Sequence, residues 1–336
     1  MDSKQNIEAP APSLAEELGG WLQAFPGEFA ACWQKLPNKA CFFIPLVAWL
    51  LLFQFYGNAT FGYIDTASLL YWMKFTYTNP MAHGEDGHGL YVPFVVLALF
   101  WWKRKQLMEV PMRLWWPGVI LLVGALFLHI LGYMVQQPRL SIVALFAGIY
   151  ALMGMTWGPS WLRASFFPFF LFVFCIPITS IGEPITVPLR LMVTKLVAGF
   201  CHHVLGINVI REGNFLFNAS HTYSYEVAAA CSGLQSLIAI FALATVYAFI
   251  FMQTGWKRAL MIASALPLAI IANVVRLMDI ILAAELFGQK GGDFVHNNGA
   301  LNMVPYLPAI IGLMLLGRWL QERQPEPAIP MEAKPA

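Results

Sequence analysis

Charge is what this chain has least of: 11% of its 336 residues are Asp, Glu, Lys or Arg, against roughly a quarter in an ordinary soluble domain. With 59% of residues hydrophobic and a mean hydropathy of +0.63, the scarcity of charge excludes a soluble globular protein and predicts a polytopic membrane protein. No basic face exists either. The formal net charge is +2, and the positive residues fall in short clusters between apolar runs, which excludes a nucleic-acid partner. Cysteine is sparse and odd in number, five in all, so no disulfide framework is indicated. Neither an internal repeat nor a low-complexity stretch interrupts the chain, apart from a Pro-rich tail after Gln324 that reads as disordered. The first forty residues lack the pattern of a cleaved signal peptide, because Glu8, Glu16, Glu17 and Glu28 interrupt them.

What is present is a series of apolar runs long enough to cross about 30 Å of hydrocarbon. They cover Cys41 to Tyr56, Leu90 to Trp102, Leu114 to Met134, Leu140 to Trp157, Ser165 to Ile181, Cys231 to Met252, Ala259 to Ile281 and Leu301 to Leu320. The expected fold is therefore all-α and polytopic, with about eight transmembrane helices. If the spans alternate, Lys35, Lys39, Lys103-Arg104-Lys105, Arg113, Arg163, Lys257-Arg258, Arg318 and Arg323 share one side. The positive-inside rule makes that side cytoplasmic, which places both termini inside. Residues 1–40 read as a cytoplasmic segment with a surface-lying helix, 41–322 as the transmembrane domain and 323–336 as a disordered cytoplasmic tail.

The outward segment Pro184 to Gly206 carries a stripe of Leu189, Met192, Val193, Leu196, Val197, Phe200 and Val204, as in a helix lying in the outer interface. After it, the Glu212-Gly213 turn signal and the alternations Phe215, Phe217 and Tyr223, Tyr225 predict a small β-hairpin. That hairpin delivers the chain to Ala230-Cys231-Ser232-Gly233-Leu234.

A thiol at the start of a membrane helix sits among unpaired backbone N–H groups at the positive end of the helix dipole, which favours thiolate. Cys231 is thus the candidate nucleophile, although a free cysteine is commonest as a small buried hydrophobe. Arg276 lies about seventeen residues, or roughly 26 Å of helix rise, beyond the cytoplasmic Lys257-Arg258 pair, which brings it near the outer leaflet. An arginine within an apolar run marks a functional site unless it is paired, and Asp279 at i+3 is the alternative partner. Asn273 shares its helix face, and His296 lies in the next outward loop. A thiolate that attacks an amide carbonyl, an imidazole that shuttles the proton and a guanidinium that donates to the oxyanion suffice for acyl transfer. No cofactor is needed. The backbone N–H groups of Ser232 and Gly233 are further oxyanion donors, Gln235 a supporting donor, and Asp293 an orienter of His296.

The three motifs resemble those of the exosortase/archaeosortase family: Ala230-Cys231-Ser232-Gly233-Leu234 its Cys motif, Asn273-Val274-Val275-Arg276 its Asn-x-x-Arg motif, and His296 its late His. His88-Gly89 ahead of the Pro93-containing span resembles the early His-Gly motif, and Phe166-Phe167-Pro168 leading to Cys175-Ile176-Pro177 the Pro-punctuated fifth span. The resemblance covers about Phe42 to Leu320. It departs after His296, where Leu301-Asn302-Met303-Val304 replaces the usual aromatic run.

The resemblance implies a membrane cysteine protease-transpeptidase of a bacterial inner membrane, with its active site facing outward. Its partners would be exported proteins bearing a C-terminal, PEP-CTERM-like sorting signal, passed to a lipid or cell-surface acceptor. Two other classes use the same residues: an acyltransferase carrying a lipid acyl group on Cys231, and a transporter or assembly subunit in which Arg276 is merely paired. Cys201, His202, His203 and His221 lack the spacing of a closed zinc set. A Cys201–Cys231 disulfide would end the catalytic reading. His83, Glu85, Asp86 and His88 form an outward polar cluster.

Overall fold

The computed structural model describes residues 14–59, 64–78, 84–177, 183–226, 234–298 and 301–320. In chain order its helices are α1 (Leu14–Lys35), α2 (Lys39–Tyr56), α3 (Leu69–Thr78), α4 (Val92–Trp102), α5 (Arg104–Glu109), α6 (Gly118–Met134), α7 (Pro138–Trp157), α8 (Pro159–Phe170) and α9 (Glu183–His203). Three strands follow, β1 (Val209–Glu212), β2 (Phe215–Asn218) and β3 (Ser224–Glu226). The chain continues through α10 (Leu234–Phe251), α11 (Gly255–Ala263), α12 (Ala265–Phe287), α13 (Gln289–Asn297) and α14 (Leu307–Leu320).

Among the described residues four segments are long and apolar enough to cross a membrane: Lys39–Tyr56, Pro138–Trp157, Gly255–Phe287 and Met303–Leu320. Shorter apolar helices occupy the other four expected positions: Val92–Trp102, Gly118–Met134, Pro159–Cys175 and Leu237–Phe251. The fifth expected span is not one regular helix, since α8 contains Pro168 and gives way to a 3-10 turn over Leu171–Cys175. A proline removes an intrahelical donor and crowds the preceding turn, which accounts for the change. Two further helices, α3 and α13, occupy stretches expected to be loops; both are too short to have stood out by hydrophobic periodicity alone.

The chain forms two compact units, residues 1–69 with 94–170, and residues 70–93 with 171–336. In the first, α6 and α7 pack as an antiparallel pair, α2 lies along α7, and the Trp49 indole donates to the Leu145 carbonyl at 3.0 Å. In the second, α12 is the central element. One stretch of it, through Ala265, Ala269 and Ala272, packs against Ala244 and Ala248 of α10 and Ala309 of α14; small residues let helix backbones approach closely where lipid supplies no hydrophobic drive. Its later turns, through Leu277, Ile281 and Ala284, meet Val193, Val197 and Cys201 of α9 and Val209, Leu216 and Tyr223 of the strand region.

The expected interfacial helix is α9, but its buried face is narrower than the apolar stripe. Val193, Thr194, Val197 and Cys201 are buried, whereas Met192, Leu196, Phe200 and Val204 are exposed. Thr194 can turn inward because its hydroxyl donates to the Leu191 carbonyl at 3.1 Å. The expected hairpin is a three-stranded antiparallel sheet in the order β1-β2-β3, with Ile210 opposite Phe217 and Leu216 opposite Tyr225.

Candidate active site

The second unit brings two of the expected catalytic residues to one corner. Asn273 and Arg276 lie on α12, 2% and 8% exposed. α12 ends at Gly288, whose φ of 72° is a left-handed conformation that glycine adopts without strain. The chain then reverses into α13, which carries Asp293 and His296 back along α12. This fold-back is close-packed. A Cβ on Gly292 would meet the Tyr225 ring and hydroxyl, and would lie 3.1 Å from the Ala284 Cβ.

His296 is half-buried, and its imidazole pKa is lowered below the usual range, by burial first and then by the positive charge of Arg276, while Asp293 pulls it upward. The charge of the guanidinium therefore reaches the imidazole. A neutral imidazole held beside a fixed cation at neutral pH accepts a proton, and the cation stabilises negative charge on a bound carbonyl.

Asp293 is itself held from below. The Ser224 backbone N–H donates to the Gln289 Oε1 at 3.0 Å, and the Gln289 Nε2 donates to the Asp293 Oδ1 at 3.0 Å. The Tyr225 hydroxyl donates to the Gln289 carbonyl at 3.0 Å, and its pKa is pushed up to about 12 by burial and then by the Asp293 carboxylate. Tyr223 adds a further bond, from its hydroxyl to the Glu285 carboxylate at 2.9 Å. β3 and the residue before it are thus fastened to the α12–α13 corner at Tyr223, Ser224 and Tyr225. Tyr225, Gln289 and Glu285 were not expected at the site; the sequence signal was the Tyr-x-Tyr alternation, whose second face points at this corner.

Cys231, Ser232 and Gly233 lie outside the described residues, as does the side chain of Gln235, whose backbone belongs to the first turn of α10. The elements flanking the cysteine both rest on α12: β3 through the contacts above, and α10 through Leu237, which lines one small apolar cleft together with Asn273.

Other expectations resolve plainly. Cys201 is a buried free thiol, and Cys231, its expected alternative partner, lies outside the described residues. His202 and His203 are exposed and stack edge to face at 4.9 Å, and His221 stacks on Phe217 at 4.7 Å. Among the described residues no cluster of His, Cys, Asp and Glu could hold a metal. Of the outward polar cluster, Asp86 is buried and its carboxylate acts on Tyr77, whereas His83 and the side chain of Glu85 lie outside the described residues. The Tyr77 hydroxyl donates to the Cys175 carbonyl and the Cys175 thiol reaches the Gly89 carbonyl at 3.7 Å. The early His-Gly turn and the Pro-punctuated segment are thereby tied together.

The family model for transmembrane exosortases matches residues 77–316. The chain belongs to that family. Neither a curated protein nor a solved structure matches it. Membership makes this a membrane protein with a transpeptidase-type role, and the match takes in Tyr77, the Gly89–Cys175 tie, the Cys231 segment, α12 and α13.

Proposed function

We propose that this exosortase is a membrane cysteine peptidase-transpeptidase that cleaves a C-terminal, PEP-CTERM-like sorting signal of exported proteins through a thioester on Cys231. The observation that supports it best is the fold-back of α13 on α12, which brings His296 within electrostatic reach of Arg276. His296 takes the Cys231 proton, and the thiolate adds to the scissile carbonyl carbon. Arg276 donates hydrogen bonds to the oxyanion, with the Ser232 and Gly233 amides as further donors. The tetrahedral intermediate collapses as the C–N bond breaks, and His296 returns the proton to the leaving amine. An amine or hydroxyl of a lipid or cell-surface acceptor, or water, then displaces Cys231 by the reverse sequence. Asn273, beside Arg276, holds the substrate peptide, and Asp293 orients His296. The enzyme resides in a bacterial inner membrane with both termini cytoplasmic and the site facing outward.

Co-expression with an exported protein carrying such a signal tests the reading. Cleavage should vanish in Cys231→Ser without loss of the membrane-inserted protein, because an unactivated serine is a far weaker nucleophile. Hydroxylamine should release a substrate adduct trapped on the wild type. Full processing by Cys231→Ser would overturn the proposal.

A further inference from the structure

The first unit contains a groove of about 260 Å³ between α1, the α4–α5 segment and α8, walled by Phe29, Trp33, Leu97, Trp101, Met108 and Trp161. Its size approaches that of a small-molecule site, roughly 300 to 1,000 Å³. Two features separate it from an ordinary apolar crevice. The indole N–H groups of Trp101 and Trp161 are buried without a hydrogen-bond partner, and Trp161 is only 3% exposed. An unsatisfied buried donor is destabilising, so this wall lacks an acceptor. The rim is also basic. Lys39 places its ammonium 5.3 Å over the Trp33 ring, and Lys103 stands 5.6 Å over Phe167. Arg104 lies 4.5 Å over Trp101, donates to the Trp101 carbonyl at 3.0 Å and is ion-paired with Glu28, which leaves the charges of Lys39 and Lys103 for an anion.

We propose that this groove is a binding site for one anionic phospholipid. The aromatic walls take the upper part of an acyl chain, the Trp101 and Trp161 indoles donate to ester or phosphate oxygens, and the lysine rim meets the phosphate charge. Indoles and basic side chains at the headgroup level serve these two purposes in general. α1, Leu14–Lys35, lies outside the family match, so this wall of the site belongs to the chain's own N-terminal segment. The lipid would fasten that segment to the transmembrane unit.

Native mass spectrometry of the full-length protein, delipidated in detergent and titrated with phosphatidylglycerol or phosphatidylcholine of identical chains, reads the proposal directly. Wild type should take up one phosphatidylglycerol at least tenfold more tightly than phosphatidylcholine. Trp161→Phe removes the indole donor while keeping an aromatic side chain, and should weaken that binding at least fivefold; Lys39→Gln should reduce the preference for the anionic lipid. Leu97 is 65% exposed, so Leu97→Trp should fill the groove and abolish uptake with an unchanged melting temperature, which keeps the test valid if Trp161→Phe fails to fold. Equal affinity for the two lipids, or uptake by Leu97→Trp equal to wild type, would refute the site. So would a wild type that binds neither lipid while a photo-cross-linker at Met108 captures a peptide, since another protein segment then fills the groove.

Discussion

An arginine at the centre of a membrane helix costs about 2.5 to 3.5 kcal/mol on insertion scales, yet Arg276 is buried on α12 where its charge reaches His296. That coupling has a sign that can be measured. On the proposed mechanism His296 acts as base, so activity should fall away on the acid side below the ordinary imidazole value of 6.5. Asp293→Asn removes the one charge that raises the imidazole pKa and should move this limb to lower pH. Arg276→Gln should move it to higher pH in the activity that remains. Arg276→Lys keeps the charge and should leave the limb in place while lowering the rate by about 10²-fold, because a lysine cannot reproduce the planar donor fork. A pH–rate series on the four proteins distinguishes these outcomes. Stability follows the same shift: the unfolded chain binds the proton first, so the folded state loses stability as pH falls from about 6.5 through the lowered folded-state pKa, and His296→Gln should flatten that dependence.

The element that matters most is the α12–α13 fold-back, and its tightest point is Gly292 against Tyr225. Gly292→Ala should push α13 away from β3 and destabilise the protein by about 1 to 3 kcal/mol, the usual range for overpacking. Since the added methyl would meet the phenolic oxygen first, Gly292→Ala with Tyr225→Phe should recover part of the lost melting temperature, although Tyr225→Phe alone gives up a hydrogen bond. Thermal melts of the single and double variants in detergent settle the matter, and additive losses would count against this packing. A different readout isolates the support of Asp293. Gln289→Leu removes the bridge between Ser224 and Asp293; it should shift the acid limb as Asp293→Asn does, but by less, since the carboxylate remains.

For the whole molecule, the proposed orientation predicts that single-cysteine variants at Lys103 and Lys257 react with an impermeant thiol reagent only after the membrane is opened, whereas Cys231 reacts from outside. The opposite pattern would reverse the topology. Much of this architecture was legible in one dimension. Among the described residues hydropathy located the apolar helices, because burial in lipid demands continuous apolar runs, and the Glu-Gly turn with its flanking alternation located the strands. Helix α13 was not legible, because nine residues bearing two glycines, an aspartate and a histidine show no sustained periodicity; its helical state comes from packing on α12 and β3. The fifth span reads from the sequence as one helix because hydropathy does not register the 3-10 turn beyond Pro168. The inward face of α9 likewise followed its neighbours, which buried Thr194 and left Leu196 and Phe200 outside. By itself, then, the sequence determined composition-driven properties: membrane residence, the apolar segments and the order of the chemical motifs. Only the tertiary structure decided that the charge of Arg276 reaches His296, that Tyr225 and Gln289 hold Asp293, and that Cys201 remains a free thiol. Those depend on side chains tens of residues apart meeting across α12, and proximity of that kind leaves no periodic trace in the chain.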